Sequence, residues 1–197
     1  MKKTLTILAT LALVAAISIG GTLAYLTAKT AEVTNTFTVG NIGMTLDEHT
    51  RNADGTLTDQ TTNAINDYKV IPGATDHKDP TLHVAAGSEP CYVYALVDNG
   101  LVIGGTTVAD VNVDGEDWVT VETSGTKTLY RYNNIVDAST TGQDLEVFST
   151  VTYSDTITST TIEGLAGKSI IIQGYAHQSA NTTSDAADAA AKVQFSL

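Results

Sequence analysis

Hydrophobic and polar residues alternate with a period of two through most of the chain, in short runs separated by turn-forming residues. Thr and Val are abundant in these runs, and glycines, Asp-Gly pairs and an Asn-Gly pair separate them. Such runs are typical of antiparallel strands. We therefore predict an all-β protein with strands near residues 35–46, 68–71, 81–86, 91–98, 101–103, 118–122, 127–132, 144–153 and 169–178.

The first of these runs changes phase in its middle. Phe37 and Val39 fall on one phase of the alternation, whereas Met44 and Leu46 fall on the other. A bulge or bend at Gly40 would let both pairs point into one core. The run 144–153 also changes phase: Leu145 falls on one phase of the alternation, and the phase shifts at Phe148.

Two strands have features that suggest their place in the fold. Residues 170–172 are three consecutive isoleucines, which favours a central strand covered on both faces. Trp118 begins an alternating run, so we expect it to face the core. That run and the next are separated by residues 124–126, which predict a hairpin turn.

Polar segments predict the connections. Residues 47–67 contain a turn signal at 52–55 and read as a long loop or a small hairpin. Residues 162–168 predict a short loop or one helical turn, and residues 112–117 predict a turn.

The C-terminal residues 184–192 predict a short helix. They begin with a candidate N-cap, carry Asp185 in the first turn and end with Lys192, as the helix dipole favours. Residues 193–197 predict a final strand.

The N-terminus has the organisation of an export signal. Lys2 and Lys3 precede an apolar run over residues 5–19, and small residues follow. We predict a signal peptide over residues 1–24, cut between Ala24 and Tyr25. The membrane would then be contacted only transiently; an uncleaved membrane anchor is the alternative.

The acidic composition restricts the choice of partners. The chain has a net charge of −12, and removal of residues 1–24 would leave 8 basic and 22 acidic residues, a net charge of −14. Nucleic acid is therefore not a predicted partner, because a polyanion would be repelled. The rest of the chain fits a single sandwich domain over residues 40–197. Cys91 is the only cysteine, so no intrachain disulfide forms, and we expect Cys91 to be a small buried hydrophobic residue.

The sequence contains no recognisable catalytic constellation. The four histidines, His49, His77, His83 and His177, lack the spacing of a zinc motif, and paired carboxylates occur only as sequence neighbours that point apart on a strand. The spacing of Asn52, Asp54 and Asp59 does not match an EF-hand. We predict no catalytic residue and no cofactor, and the sequence leaves calcium or zinc binding open.

Several segments together resemble a known family. Residues 20–27 and 35–41 resemble the N-terminal junction of exported proteins processed by a SipW-type signal peptidase, the TasA and camelysin family of Gram-positive bacteria. Residues 71–73, 78–80 and 172–178 provide further, more degenerate matches, so the resemblance extends over nearly the whole chain.

The resemblance implies a jelly-roll-like β-sandwich that is secreted and assembles into fibres of the cell surface or biofilm matrix. In such fibres the freed N-terminal segment of one subunit completes a sheet of the next. The matching segment here is residues 25–39, and its strand-forming part is Asn35, Thr36, Phe37, Thr38 and Val39. Expected partners are further copies of the chain or related matrix subunits, and the signal peptidase during export.

Three alternatives remain at this stage. The segment 25–39 would pair within its own subunit if the chain does not polymerise. The camelysin name implies a metalloprotease, although no zinc motif supports the transfer of that activity. The third alternative is a non-polymerising adhesive module.

Overall fold

The computed structural model describes residues 40–52, 55–63 and 68–197. The predicted signal peptide, its cleavage site at Ala24 and Tyr25, and the assembly segment including Asn35 to Val39 lie outside the described residues. Asp54 of the predicted turn also lies outside them.

Strands are the main elements of the described residues. These residues also form one short 3-10 helix at Ile162–Leu165 and one α-helix, α1, at Ser184–Phe195. The strands are β1 (Met44–Arg51), β2 (Leu57–Thr62), β3 (Thr75–His77), β4 (Thr81–Val84), β5 (Cys91–Asn99), β6 (Val102–Ile103), β7 (Thr106–Thr107), β8 (Ala109–Val113), β9 (Trp118–Ser124), β10 (Lys127–Tyr132), β11 (Gln143–Glu146), β12 (Phe148–Tyr153) and β13 (Ile170–Gln178).

Two layers of antiparallel strands form a sandwich. The β5 layer has the strand order β13-β5-β10-β9. The facing layer consists of two sheets, β11-β4-β1-β2 and β3-β12-β8. The chain passes from one of these sheets to the other between β3 and β4 and again between β11 and β12. Two backbone hydrogen bonds join the two connections: the Val147 N–H donates to the Pro80 carbonyl at 2.9 Å, and the Lys78 N–H donates to the Ser149 carbonyl at 3.0 Å. We call the two sheets together the bent layer. The predicted all-β antiparallel sandwich with a short C-terminal helix is confirmed.

The core lies between the layers. Val93, Ala95 and Val97 of β5 pack into the same buried cluster as Leu82 of β4 and Phe148 of β12. The other face of β5 is also buried, because α1 covers its tyrosines. β5 is therefore the strand that is covered on both faces.

The phase shift at Phe148 has a structural cause. The run 144–153 is two strands in different sheets, β11 and β12, and Val147 between them is fully buried at the bend. Because Val147 belongs to neither strand, the alternation of inward-facing and outward-facing side chains shifts by one residue between β11 and β12. Within the segment 47–67, for which a long loop or a small hairpin was predicted, the described residues form the hairpin of β1 and β2, closed by the Asn52 N–H bonded to the Thr56 carbonyl at 2.8 Å.

Three strand predictions are wrong. Residues 68–71 form no strand; the chain instead turns at Ile71, whose carbonyl accepts from the Ala74 N–H at 3.0 Å. β13 is not central, because among the described residues it pairs only with β5, and Ile171 is 51% exposed. Residues 193–197 do not form a strand, because α1 continues to Phe195, which packs edge-on against Tyr175.

The helix α1 otherwise follows the sequence prediction. The N-cap is Thr183, one residue before the predicted Ser184, with its hydroxyl accepting from the Ala186 N–H, and Asp185 and Lys192 occupy the first and last turns as predicted. Ala187 and Ala191 are fully buried against the β5 layer. Among the described residues no helix has the length and apolar character to cross a membrane.

Candidate functional site

The outer edge of β13 carries backbone groups that have no partner strand among the described residues. The Ser169 carbonyl accepts from the Gly100 N–H at 3.0 Å, and the Ser179 N–H donates to the Pro90 carbonyl at 2.9 Å. Both bonds point toward β5. Since the direction alternates along a strand, the N–H and C=O groups that point away from β5 are those of Ile170, Ile172, Gly174, Ala176 and Gln178.

The core is partly open along this edge. Ile170, Ile172 and Ala176 pack against the buried cluster but remain partly exposed. Between them Gly174 lies very close to the bent layer, because a Cβ there would overlap Leu82 and lie 3.0 Å from Met44 Cε. The edge thus combines unpaired backbone groups with apolar side chains, the two features that an added strand can use.

The chain enters the sandwich next to this region. The Asn41 carbonyl accepts from the Glu89 N–H at 3.0 Å, and the Gly43 carbonyl accepts from the Ala85 N–H at 2.9 Å. The Ser88 hydroxyl also accepts from the Gly43 N–H at 3.1 Å. The loop that binds these residues ends at Pro90, whose carbonyl also accepts from the Ser179 N–H at the end of β13.

A second cluster consists of charged side chains on the inner side of the bent layer. Lys78 is buried, only 8% exposed, and its Nζ donates to Glu48 Oε2. Arg51 Nη2 donates to Asp76 Oδ1 at 2.8 Å. The ring of Tyr68 covers both cations, 4.7 Å from Arg51 Cζ and 4.9 Å from Lys78 Nζ. Each cation is therefore paired with a carboxylate and stacked on an aromatic ring.

The phenols of this cluster are not suited to acid or base catalysis. Burial raises the pKa of Tyr68 far above its ordinary value, and the nearby Glu48 carboxylate adds to the rise. Burial also raises the pKa of Tyr153, whose hydroxyl donates to Asp76 Oδ2 at 2.8 Å. Both phenols stay protonated at neutral pH, so we assign the cluster to stability.

The outer side of the bent layer carries two histidine–carboxylate contacts. His83 Nε2 lies 3.0 Å from Asp47 Oδ1, and its Nδ1 lies 2.7 Å from Asp144 Oδ1. His49 Nδ1 lies 2.5 Å from Asp79 Oδ2. Both rings therefore hold carboxylates by hydrogen bonds.

A groove of about 530 Å³ lies beside these contacts, lined by Asp114, Asp117, Asp144, Glu146 and Tyr132 among others. Burial raises the pKa of Glu146, and the Asp79 carboxylate contributes to the rise. Within residues 40–52, 55–63 and 68–197 no three His, Cys, Asp or Glu side chains are placed to hold a metal ion.

The remaining candidate residues are dispersed. Cys91 is buried, as predicted, and burial raises the pKa of its thiol to about 11, so it is a poor nucleophile at neutral pH. Trp118 is buried, as predicted, and its Nε1 donates to the Glu146 carbonyl at 2.8 Å. His177 Nδ1 lies 2.9 Å from the Tyr175 hydroxyl. Asn52 donates to the Thr56 hydroxyl, and Asp59 is exposed on β2.

Sequence reasoning missed both the β13 edge and the ion cluster. The edge is concealed by the isoleucine run, which resembles a central strand. The cluster joins residues far apart in the chain, and no short motif marks it. Comparison of the chain with known protein families, with curated proteins and with solved structures gives no significant match.

Proposed function

We propose that the chain is a secreted structural protein of the cell surface or biofilm matrix of a Gram-positive bacterium. Its N-terminal segment, residues 25–39, would add as a strand to the outer edge of β13 in another subunit, so that subunits join into fibres. The observation that carries the proposal is this edge, where backbone groups without a partner strand among the described residues lie beside a partly open core.

The sequence of the segment fits such an edge. Alternation places Phe37 and Val39 on the same face of a strand, with threonines on the other. That face would cover Ile170 and Ile172, which remain partly exposed in the described residues. Each backbone hydrogen bond formed would contribute about 0.5–1.5 kcal/mol, and burial of the apolar side chains would add to it.

The acceptor edge offers a regular row of backbone groups beside the core. Gly174 carries no side chain, and β13 lies directly over Met44 and Leu82 of the bent layer. The five outward-facing residues of β13 offer five N–H and five C=O groups in a row. The next groups of the outward row are already bonded within the chain, since the Lys168 N–H donates to the Leu165 carbonyl at 3.0 Å and the Thr182 hydroxyl donates to the Ala180 carbonyl at 3.4 Å. The ladder available to a new strand is therefore limited to the length of β13.

The proposal predicts that a form beginning at Tyr25 assembles, whereas a form beginning at Gly40 does not. The shorter form keeps the described sandwich and its β13 edge but lacks the donor segment. Negative-stain electron microscopy and sedimentation of the two forms over a range of salt and pH provide the measurement.

A mixing experiment distinguishes assembly between subunits from pairing within one subunit. The form beginning at Gly40 can accept a strand but cannot donate one, so adding it to the longer form should terminate growth and shorten the fibres. Equal assembly by both forms, or no assembly by either, would show that strand donation by residues 25–39 is not the function.

A further inference from the structure

The contacts of His83 join three adjacent strands. His83 lies on β4, opposite Asp144 of β11 and next to β1, which carries Asp47. Nδ1 faces Asp144 Oδ1 at 2.7 Å and Nε2 faces Asp47 Oδ1 at 3.0 Å. The side chain of His83 is 34% exposed, so the ring remains accessible to solvent protons.

Both ring nitrogens of His83 thus face carboxylate oxygens. A neutral imidazole has one donor and one acceptor nitrogen, so it can satisfy only one of these contacts. The other contact would place a nitrogen lone pair against a carboxylate. Only the imidazolium donates to Asp47 and Asp144 together, and the geometry therefore requires the protonated ring.

We propose that His83 is a pH-sensitive clamp that holds β1, β4 and β11 together when its ring is protonated and releases one of the two carboxylates when the ring loses its proton. Loss of the proton would leave two carboxylates on this face without their shared cation. The clamp belongs to the sandwich itself, so the inference does not depend on fibre assembly.

The other titratable groups near His83 lie on the two neighbouring strands. On β1, Asp47 is followed two residues later by His49, which binds Asp79. On β11, Asp144 is followed two residues later by Glu146. The hydrogen bond to Asp144 raises the pKa of His83 most, the bond to Asp47 adds to it, and burial opposes both.

The sign of the pH effect follows from the raised pKa. The clamp contributes its full stability below about pH 6.5, the ordinary pKa of histidine in the unfolded chain. That contribution is lost as the pH rises through the higher pKa of the folded state. β1, the first strand among the described residues, would be affected because its Asp47 bonds to the His83 ring.

Two measurements on the full chain test the clamp. Titration of the His83 ring protons by NMR should give a pKa above about 6.5. Thermal unfolding should show a midpoint that falls between pH 6 and pH 8.5 by roughly 2–4 °C more in the natural protein than in His83→Gln. His77→Gln, which removes an exposed histidine from β3, is the matched control and should keep the natural pH dependence.

The outcomes are decisive even if one variant folds poorly, because the titration uses the natural protein. A His83 pKa at or below about 6.5 would overturn the proposal. So would a His83→Gln variant whose unfolding midpoint depends on pH as steeply as that of the natural protein. Asp144→Asn should lower the His83 pKa, and an unchanged value would show that the ring does not sense this contact.

Discussion

Replacing Ala176 by proline is expected to abolish fibre assembly and leave the subunit folded. The Ala176 N–H points away from β5, so its loss removes no bond of the β5–β13 ladder. Proline is tolerated on an edge strand where the N–H faces outward, but it cannot donate to an added strand, and its ring obstructs the approach. Assembly is measured by electron microscopy, and folding by circular dichroism and the fluorescence of Trp118.

The opposite edge of the same layer provides a matched control. Thr123 of β9 lies opposite Thr128 of β10. The backbone groups of Thr128 point toward β5, so this pair exchanges no hydrogen bonds and the Thr123 N–H points away from β10, out of the sheet edge. Thr123→Pro should therefore fold and assemble like the natural protein.

Three results would contradict the assignment of β13 as the acceptor. Normal assembly by Ala176→Pro is the first, and equal loss of assembly in Thr123→Pro is the second. Unfolding of Ala176→Pro is the third, because it would show that the residue 176 amide is bonded within its own subunit.

The sandwich could be predicted because its signals are local. Alternation, turn residues and helix caps each act within a few residues, and they located the hairpin at residues 124–126, the buried Trp118 and the start of α1. The end of α1 was missed because Phe195 is held by a distant contact with Tyr175. Local propensity for a strand was outweighed there by packing on the sheet.

The position of β13 in its layer could not be predicted from its composition. Ile170 and Ile172 face the core, whereas Ile171 lies on the other side of the strand, where α1 does not cover it. A run of three isoleucines has the same appearance whether its middle member is buried or exposed. The order of strands in a sheet depends on pairing between distant segments, which a single sequence does not record.

The polar contacts were equally hidden. Lys78 binds Glu48 from 30 positions away, and His83 binds Asp144 from 61 positions away. The sequence suggested that neighbouring carboxylates such as Asp47 and Glu48 would point apart, and they do, toward the outer and inner sides of the bent layer. What each carboxylate meets there was set by the fold.

Replacing Asp76 by alanine is expected to lower the free energy of unfolding by about 3 kcal/mol. Asp76 accepts bonds from Arg51 and from the Tyr153 hydroxyl, both at 2.8 Å. The Arg51 and Asp76 side chains are only 14% and 17% exposed, so solvent would compensate poorly for the lost carboxylate. The guanidinium would keep its bond to the Gly55 carbonyl but lose its counter-charge.

Two further variants separate this effect from the general cost of substitution. Asp76→Asn keeps one acceptor oxygen and should cost less, about 1–2 kcal/mol. Glu122→Ala removes the partner of Lys192 in an ion pair whose side chains are 42% and 36% exposed, and it should cost about 0–1 kcal/mol. Urea unfolding followed by the fluorescence of Trp118, which is 2% exposed, measures all three. If Asp76→Ala lowers the free energy of unfolding no more than Glu122→Ala does, the cluster of charged side chains on the inner side of the bent layer does not stabilise the sandwich. Its burial would then need another explanation.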